Sequence, residues 1–315
     1  MTLYENVHEL VGGTPLVALH AFPLPKGVRL YAKLEYLNPG GSVKDRLGEK
    51  FVTAALATGK LKKGGTLIEP TAGNTGIGIA LAAVGRGLRV IFCVPAKFSM
   101  EKQQLMRALG ARIVQTPSEL GMAGAVAKAR ALAAAIPDSY VPNQFANELN
   151  PEAYFESLGP EIWKDLNGAV DVFVAGAGSG GTFTGTADYL KKKNASIRTV
   201  VVEPVGSILN GGAPAAHRTE GIGMEFIPSF VKTNYFDAIY TISDREAFRR
   251  VSEAAIKEGL LIGSSSGAAL HAALDEASTA KPGTTIVVLF PDSSERYLSQ
   301  GIYDTDTEIK EAKIK

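Results

Sequence analysis

The chain has 315 residues and a formal net charge of +1, from 33 Lys and Arg against 32 Asp and Glu. That length allows two modest domains or one large one with a sizeable core. The balanced charge offers no field for nucleic acid or an anionic membrane, and the single cysteine, Cys93, excludes an internal disulfide and any cysteine-rich metal site.

No apolar run reaches 18 residues, so no transmembrane helix is expected. The opening MTLYENVHELVGG carries acids and no apolar h-region, which reads against a signal peptide. The cytoplasm follows as the expected compartment. Cys93 sits in the apolar run VIFCV and reads as a buried small hydrophobe. His8, His20, His217 and His271 are too scattered to suggest a metal site, and His271 reads as part of a helix surface.

In chain order, residues 4–10 suit a short helix and 12–16 a turn. Residues 30–35 alternate like a strand. Asn38 to Arg46 (NPGGSVKDR) is a loop that runs into a helix from Asp45 onward, which places Lys44 at a loop–helix junction. A repetitive rhythm follows. Strands are predicted at 66–68, 88–94, 111–115, 139–141, 170–174, 198–203 and 284–290, with a strand and turn at 260–266. Helices are predicted at 75–86, 99–109, 121–136, 151–167, 182–192 and 268–280. Ser243 with Glu246 makes a capping box for a further helix to about Lys257. Trp163 reads as packing on the helix at 151–167. The stretch from Pro204 to Tyr235 is irregular, and the last ten residues alternate in charge and read as frayed.

Strands alternating with helices predict an α/β fold with mostly parallel sheets. The rhythm pauses near residues 147–151. We read two α/β domains, 36–147 and 1–35 plus 148–315, meeting at a cleft.

The chain is organised around Phe173 to Thr182, FVAGAGSGGT. A strand, a glycine loop and a helix in succession form an arrangement that holds a phosphate. Glycines let the backbone approach the anion, and first-turn N–H groups point at it. Gly176, Gly178 and Gly181 also satisfy G-x-G-x-x-G, and Glu203 lies where a ribose-binding acid would. A dinucleotide site is therefore one reading, and a tight turn that binds nothing is another.

Three further stretches bear on the choice. Lys44 has glycines on its N-terminal side and a helix start after it, where positive potential disfavours a protonated amine; such a lysine can form a Schiff base with an aldehyde. By itself a loop lysine is more simply a solvated charge. Glu69 to Gly76 (EPTAGNTG) sets small polar residues at a helix N-terminus, a cradle sized for a carboxylate. Capping alone explains an Asn or a Thr there, but not the whole run. Gly263 to Gly267 (GSSSG) is a turn whose serines suit caps. A serine facing a pyridine nitrogen would share a hydrogen bond without adding full negative charge. Together these suggest pyridoxal phosphate. A nicotinamide cofactor would account only for the glycine loop and Glu203.

These motifs, with Gly221-Ile222-Gly223, occur in the order and spacing of the cysteine synthase / cystathionine β-synthase family of fold type II pyridoxal-phosphate enzymes, which the chain resembles from residue 8 to about 300. The resemblance implies two three-layer α/β domains of the tryptophan synthase β-like type, with the cofactor in the cleft between them. It implies that Lys44 is the Schiff-base lysine and the base that moves the α-proton. Asn74 would bond the ring oxygen, Gly178, Ser179, Gly180, Gly181 and Thr182 would hold the phosphate, and Ser265 would meet the ring nitrogen. Thr71, Ala72, Asn74, Thr75 and Gln144 would take the substrate carboxylate, with Gly221 to Gly223 lining the far wall.

The implied reaction is β-replacement on O-acetylserine or serine by a thiol, in a homodimer with no metal. Many relatives carry Ser where this chain has Ala72, a loss of roughly 0.5–1.5 kcal/mol if the hydrogen bond is not replaced. The Thr-Ala-Gly-Asn form, the runs at 98–102 and 217–221, and PDSSER at 291–296 look most like bacterial cystathionine β-synthases that prefer O-acetylserine. On that basis homocysteine is the expected acceptor, with sulfide, as in a cysteine synthase, the alternative. Serine/threonine dehydratase and dehydrogenase readings stand further off. The haem segment and regulatory module of animal relatives have no counterpart, so no haem is expected. Glu220, Met224 and Glu225 are candidates for selecting an amino-acid-bearing acceptor.

Overall fold

β-Branched runs bounded by turn residues become parallel strands in a computed structural model of the protein, which describes residues 3–71, 73–96 and 99–304. Ala72, Phe98 and the whole charge-alternating C-terminal segment lie outside the described residues. In chain order the elements are β1 (Leu16–Ala18), β2 (Arg29–Leu34), α1 (Lys44–Ala57), β3 (Thr66–Pro70), α2 (Asn74–Ala83), β4 (Arg89–Pro95), α3 (Met100–Ala108), β5 (Arg112–Thr116) and α4 (Gly121–Ala135). There follow β6 (Ser139–Tyr140), α5 (Leu149–Glu156), α6 (Leu158–Asp165), β7 (Val172–Gly176), α7 (Gly181–Lys193), β8 (Arg198–Pro204), β9 (Ala238–Ile242), α8 (Asp244–Glu258), α9 (Ser264–Ser278) and β10 (Thr285–Phe290).

The chain divides into two compact units, Met1–Gly12 with Asn38–Ala153, and Gly13–Leu37 with Tyr154–Lys315. The division differs from the one read in the sequence at both joins. The first turn groups with the first unit because the His8 ring bonds the Val84 carbonyl at 3.0 Å and faces Glu49 at 3.4 Å. The start of α5 groups there too, through Lys50 with Glu152 at 2.8 Å and Asn150 Nδ2 donating to the Gln144 carbonyl at 2.7 Å.

The sheet of the first unit has the order β5-β4-β3-β6, with every pair parallel. Ile68, Ile91 and Cys93 pack on Ala125 and Ala129 of α4. The alanine-rich face of that helix lets it lie close to the sheet. Helices α1 and α2 pack on each other.

The sheet of the second unit has the order β1-β2-β10-β7-β8-β9, antiparallel only between β1 and β2. All six residues of β10 are buried, as expected for a parallel strand covered on both faces. On one face Ala32, Val174, Val202 and Val288 pack with Phe248 and Val251 of α8 and Ala269 and Ala273 of α9. On the other, Phe173 stacks on Phe183 of α7 with ring centroids 6.2 Å apart. Helix, sheet and helix make three layers.

Several expectations change. Strands β1 and β9 went unrecognised, β9 because its short AIYTI run follows an irregular stretch. The single helix expected at 151–167 is two, α5 and α6, broken at Ser157 (φ −123°, ψ −69°). The strand expected at 260–266 shrinks to one bridge, Ile262 to Ser293. Helix α9 starts at Ser264 and takes in the serine turn. The capping box at Ser243 and Glu246 is present, and Gly259 closes α8 in the left-handed conformation.

Candidate active site

Lys44 is the first residue of α1. The loop before it folds on itself: Gly41 N–H donates to the Asn38 carbonyl at 2.8 Å, and the Asp45 carboxylate reaches back to accept from Gly40 N–H at 2.6 Å. Lys44 N–H donates to Ser42 Oγ at 3.2 Å. Helix α1 crosses α2 where two glycines meet. A Cβ on Gly48 would collide with the Gly78 backbone, and a Cβ on Gly78 with the Lys44 carbonyl. This close crossing seats the backbone of Lys44 directly on α2. The sequence reading missed both glycines. Their signal was glycine inside a helix, which costs about 0.5–1 kcal/mol relative to Ala unless packing needs it.

The run expected to cradle a carboxylate lies at the start of α2. Its N-cap is Gly73, which brings no side chain to the first-turn N–H groups. Thr71 Oγ1 accepts from Gly73 N–H at 3.4 Å, and the Thr75 hydroxyl donates to Gln144 Oε1 at 2.8 Å. Gln144 is 6 % exposed, its carbonyl is held by Asn150, and its Nε2 finds no partner among the described residues. The backbone N–H groups of Asn143 and Gln144 donate to the two oxygens of Glu69, at 2.8 and 2.9 Å. Glu69 is wholly buried, and burial pushes its carboxyl up to about 7 against those two hydrogen bonds. The first unit therefore brings Thr75 and Gln144 into contact, with Thr71 bonded to Gly73 and Asn74 opening the same helix. Ala72 lies outside the described residues. The sequence quoted Glu69 as part of the run and gave it no role.

The glycine loop ends β7 and opens α7. Its N-cap, Gly180, has φ +82° and no side chain to cap the helix, a conformation that a side chain disfavours. The residues of the 221–224 loop stand against it. Gly223 N–H donates to the Ala177 carbonyl at 2.9 Å. A Cβ on Gly178 would collide with the Gly221 carbonyl, and one on Gly176 with Ile222. Gly178 to Thr182 and Gly221 to Gly223 are thus one construction, walled by the Gly221 carbonyl at Gly178 and by the Ile222, Val231 and Met224 side chains at Gly176 and Gly180.

The serine turn resolves into three separate jobs. Ser264 Oγ accepts from Glu220 N–H at 3.0 Å, and Ser266 Oγ donates to the Asp292 carbonyl at 3.5 Å. Ser265 is 2 % exposed, and its hydroxyl has no protein partner among the described residues. It stands 3.7 Å from where a Cβ of Gly221 would be, beside the wall of the glycine loop. A buried hydroxyl normally finds a hydrogen bond, so this one fits a ligand atom.

Glu203 does not face a ribose. It is fully buried and accepts from Leu209 N–H at 2.8 Å, Asn210 N–H at 3.0 Å and the Thr241 hydroxyl at 2.9 Å. The acid that favoured the dinucleotide reading is spent on its own loop. Cys93 is buried, with its thiol pushed up to about 11 by burial, which suppresses the thiolate. His271 is half-buried between Glu246 and Asp275 rather than on an open surface. Among the described residues no His, Cys, Asp or Glu cluster is placed to hold a metal, and no helix is long and apolar enough to cross a membrane.

A tightly walled glycine loop, a partnerless hydroxyl on the buried Ser265 and a lysine on a glycine crossing all suit pyridoxal phosphate. The family description "Pyridoxal-phosphate dependent enzyme" matches residues 7–292, and the chain belongs to that family. The protein is a pyridoxal-phosphate enzyme. It is 60 % identical to the O-acetylserine dependent cystathionine beta-synthase of Bacillus subtilis, over 96 % of this chain and 99 % of that one. It is 52 % identical to a cysteine synthase of Helicobacter pylori, over 96 % of this chain and all of the relative. The crystal structure of an O-acetylserine dependent cystathionine beta-synthase from Helicobacter pylori matches with a TM-score of 0.93 at 52 % identity, covering 96 % of this chain and 100 % of that chain.

Proposed function

We propose that the protein catalyses β-replacement on O-acetylserine with homocysteine as the thiol, giving cystathionine and acetate. The observation that carries the chemistry is Ser265: a buried hydroxyl with no protein partner, beside the loop that holds the phosphate. A hydroxyl facing the ring nitrogen, in place of a carboxylate, keeps the electron sink narrow and favours loss of a β-substituent. The B. subtilis relative's name, at 60 % identity, supports the donor and the acceptor.

Pyridoxal phosphate, when bound, supplies the electron sink that lets the α-C–H bond break. The chain's own residues do the rest. Lys44 Nζ would hold the cofactor's aldehyde carbon and would take the α-proton of the bound amino acid. Asn74 orients the ring through its oxygen. The N–H groups at the start of α7, with Ser179 and Thr182, hold the phosphate. Thr71, Thr75 and Gln144 bind the substrate carboxylate and fix the α-proton in line with Lys44. The β C–O bond breaks with its electron pair leaving on acetate, and the thiolate sulfur forms the new β bond.

Acceptor choice is assigned to the 217–225 loop. Glu220 lies next to the serine turn through its N–H to Ser264, and one carboxylate oxygen accepts from Gln300. Met224 N–H donates to Ser207 Oγ at 2.9 Å, and its methyl group sits by Gly180. A carboxylate near the site favours a thiol that carries an ammonium group over sulfide. Sulfide is the second reading, favoured by the 52 % identical relative named cysteine synthase. The proposal includes a homodimer in the cytoplasm, supported by the family resemblance and the near absence of cysteine.

The test is the visible spectrum of the holoenzyme. O-acetylserine is expected to shift the cofactor band, and homocysteine to restore it faster than sulfide does. Faster return with sulfide makes the protein a cysteine synthase, and ammonia release without any thiol makes it a dehydratase.

A further inference from the structure

We propose that Glu69 is a positioning residue for the substrate carboxylate: by holding the Asn143–Gln144 turn, it aims the side-chain amide of Gln144 into the cradle. The inference rests on the assignment of Gln144 to the carboxylate, and it adds the residue that sets Gln144.

Four observations carry it. Glu69 is completely buried at the end of β3, where an apolar residue would be the low-cost choice. Each of its oxygens takes one backbone N–H, from two consecutive residues. The first of these, Asn143, is in the left-handed region at φ +57°, a conformation that a non-glycine residue keeps only when its surroundings hold it. Gln144 is then tied at every other polar atom: its N–H to Glu69, its carbonyl to Asn150 and its Oε1 to Thr75. Only Nε2 remains, and it has two hydrogens to donate. With Oε1 taken by the Thr75 hydroxyl, the turn presents the Nε2 donor, as a carboxylate requires.

The bonds to Glu69 and Asn150 fix the backbone from two sides. Withdrawing one leaves the side-chain amide free to swing, and the ligand then bears the cost of ordering it. The effect falls on affinity for carboxylate-bearing amino acids more than on the bond-breaking step.

The experiment is a double-mutant cycle on the holoenzyme with E69Q, Q144A and both. The probe is L-alanine, which has no β leaving group, and its Kd is read from the shift of the cofactor band. Gln at 69 can accept only one of the two N–H groups. E69Q is expected to weaken alanine by about tenfold, the equivalent of about 1.4 kcal/mol, and to raise KM for O-acetylserine more than it lowers kcat. In the Q144A background the same change is expected to cost nothing further. Amide hydrogen exchange at residues 143 and 144 is expected to speed up in E69Q while β3 and β4 stay protected. If E69Q does not accumulate as holoenzyme, E69D replaces it, keeping the charge but drawing the oxygens back by one methylene.

An alanine Kd unchanged in the Glu69 variant while Q144A weakens binding overturns the role of Glu69 and leaves the site assignment standing. An undiminished effect of the Glu69 variant in the Q144A background also overturns it, since Glu69 would then act by some other route. An alanine Kd unchanged by Q144A overturns the assignment of Gln144, and the inference with it.

Discussion

The start of α2 in the first unit and the start of α7 in the second are built alike and made of different things. Each follows a buried parallel strand, and each is capped by a glycine with no side-chain hydrogen bond. Around α7 the neighbours are backbone at Gly178, the Gly221 carbonyl, and apolar side chains at Gly176 and Gly180, those of Ile222, Val231 and Met224. Around α2 they are polar side chains: Thr71, Thr75 and Gln144, steadied by Glu69. On the proposed assignment a phosphate would meet first-turn amide groups, whereas a carboxylate that must be bound and released at every turnover would meet donors on short, held side chains. The two cradles therefore fail in different ways.

The largest effect is expected from Glu69, because polar side-chain walls need a buried scaffold. Its carboxyl is raised from an ordinary value of 4.5 to about 7 by burial. A raised folded-state value means that the folded chain binds the proton more tightly than the unfolded one does. The stabilisation is complete below pH 4.5 and is lost as pH rises through about 7. The size is about 3 kcal/mol at most. The titratable groups facing it, Cys93 on β4 and Tyr140 on β6, are themselves raised by burial and stay neutral through this range. Urea unfolding of the wild type and E69Q at pH 5 and pH 8 measures it. The advantage of the wild type should shrink toward pH 8, and a gap that is constant with pH would show that Glu69 does not titrate there.

Next comes G178A. A methyl group there meets the Gly221 carbonyl, and neither partner is a side chain that can turn aside. Overpacking of this kind costs about 1–3 kcal/mol. The loss should appear in cofactor affinity, a 10- to 100-fold rise in the Kd for pyridoxal phosphate, measured by fluorescence titration of apoenzyme. Unchanged cofactor binding with impaired O-acetylserine binding would exchange the roles proposed for the two cradles.

What the sequence made legible was local. The βα rhythm, the capping box at Ser243, the loop before Lys44 and the glycine run after β7 are each written in fewer than a dozen consecutive residues. Chemistry that depends on distant residues was not legible. Glu69 reaches Asn143 because β3 pairs with β6, Thr66 beside Ser139 and Leu67 beside Tyr140, and no local pattern announces that pairing. The same holds for Gly48 and Gly78, which matter only where α1 crosses α2. Glu203 shows the opposite failure. Its spacing from the glycine loop matched a ribose-binding acid, but spacing does not report that three donors of the same fold already occupy its oxygens. Among the three serines of the turn, resemblance had to name Ser265. The structure supplies the physical reason, since Ser264 and Ser266 are both engaged.

T75V is the smallest change and the sharpest test of the contrast. Valine keeps the shape of threonine and removes only the hydroxyl, so the packing at this buried position is kept. Two things are lost: a donor at the helix start, and the bond that holds Gln144 Oε1 at 2.8 Å. One net hydrogen bond is worth about 0.5–1.5 kcal/mol, so KM for O-acetylserine should rise by about threefold to tenfold. Cofactor content and the resting spectrum should not move, because the proposal gives Thr75 no role in holding the cofactor. Steady-state kinetics beside a cofactor titration of the same preparation separates the two readouts. A fall in cofactor affinity as large as the rise in KM would mean that Thr75 holds the cofactor as well as the substrate, and the division of roles proposed for the two cradles would have to be given up.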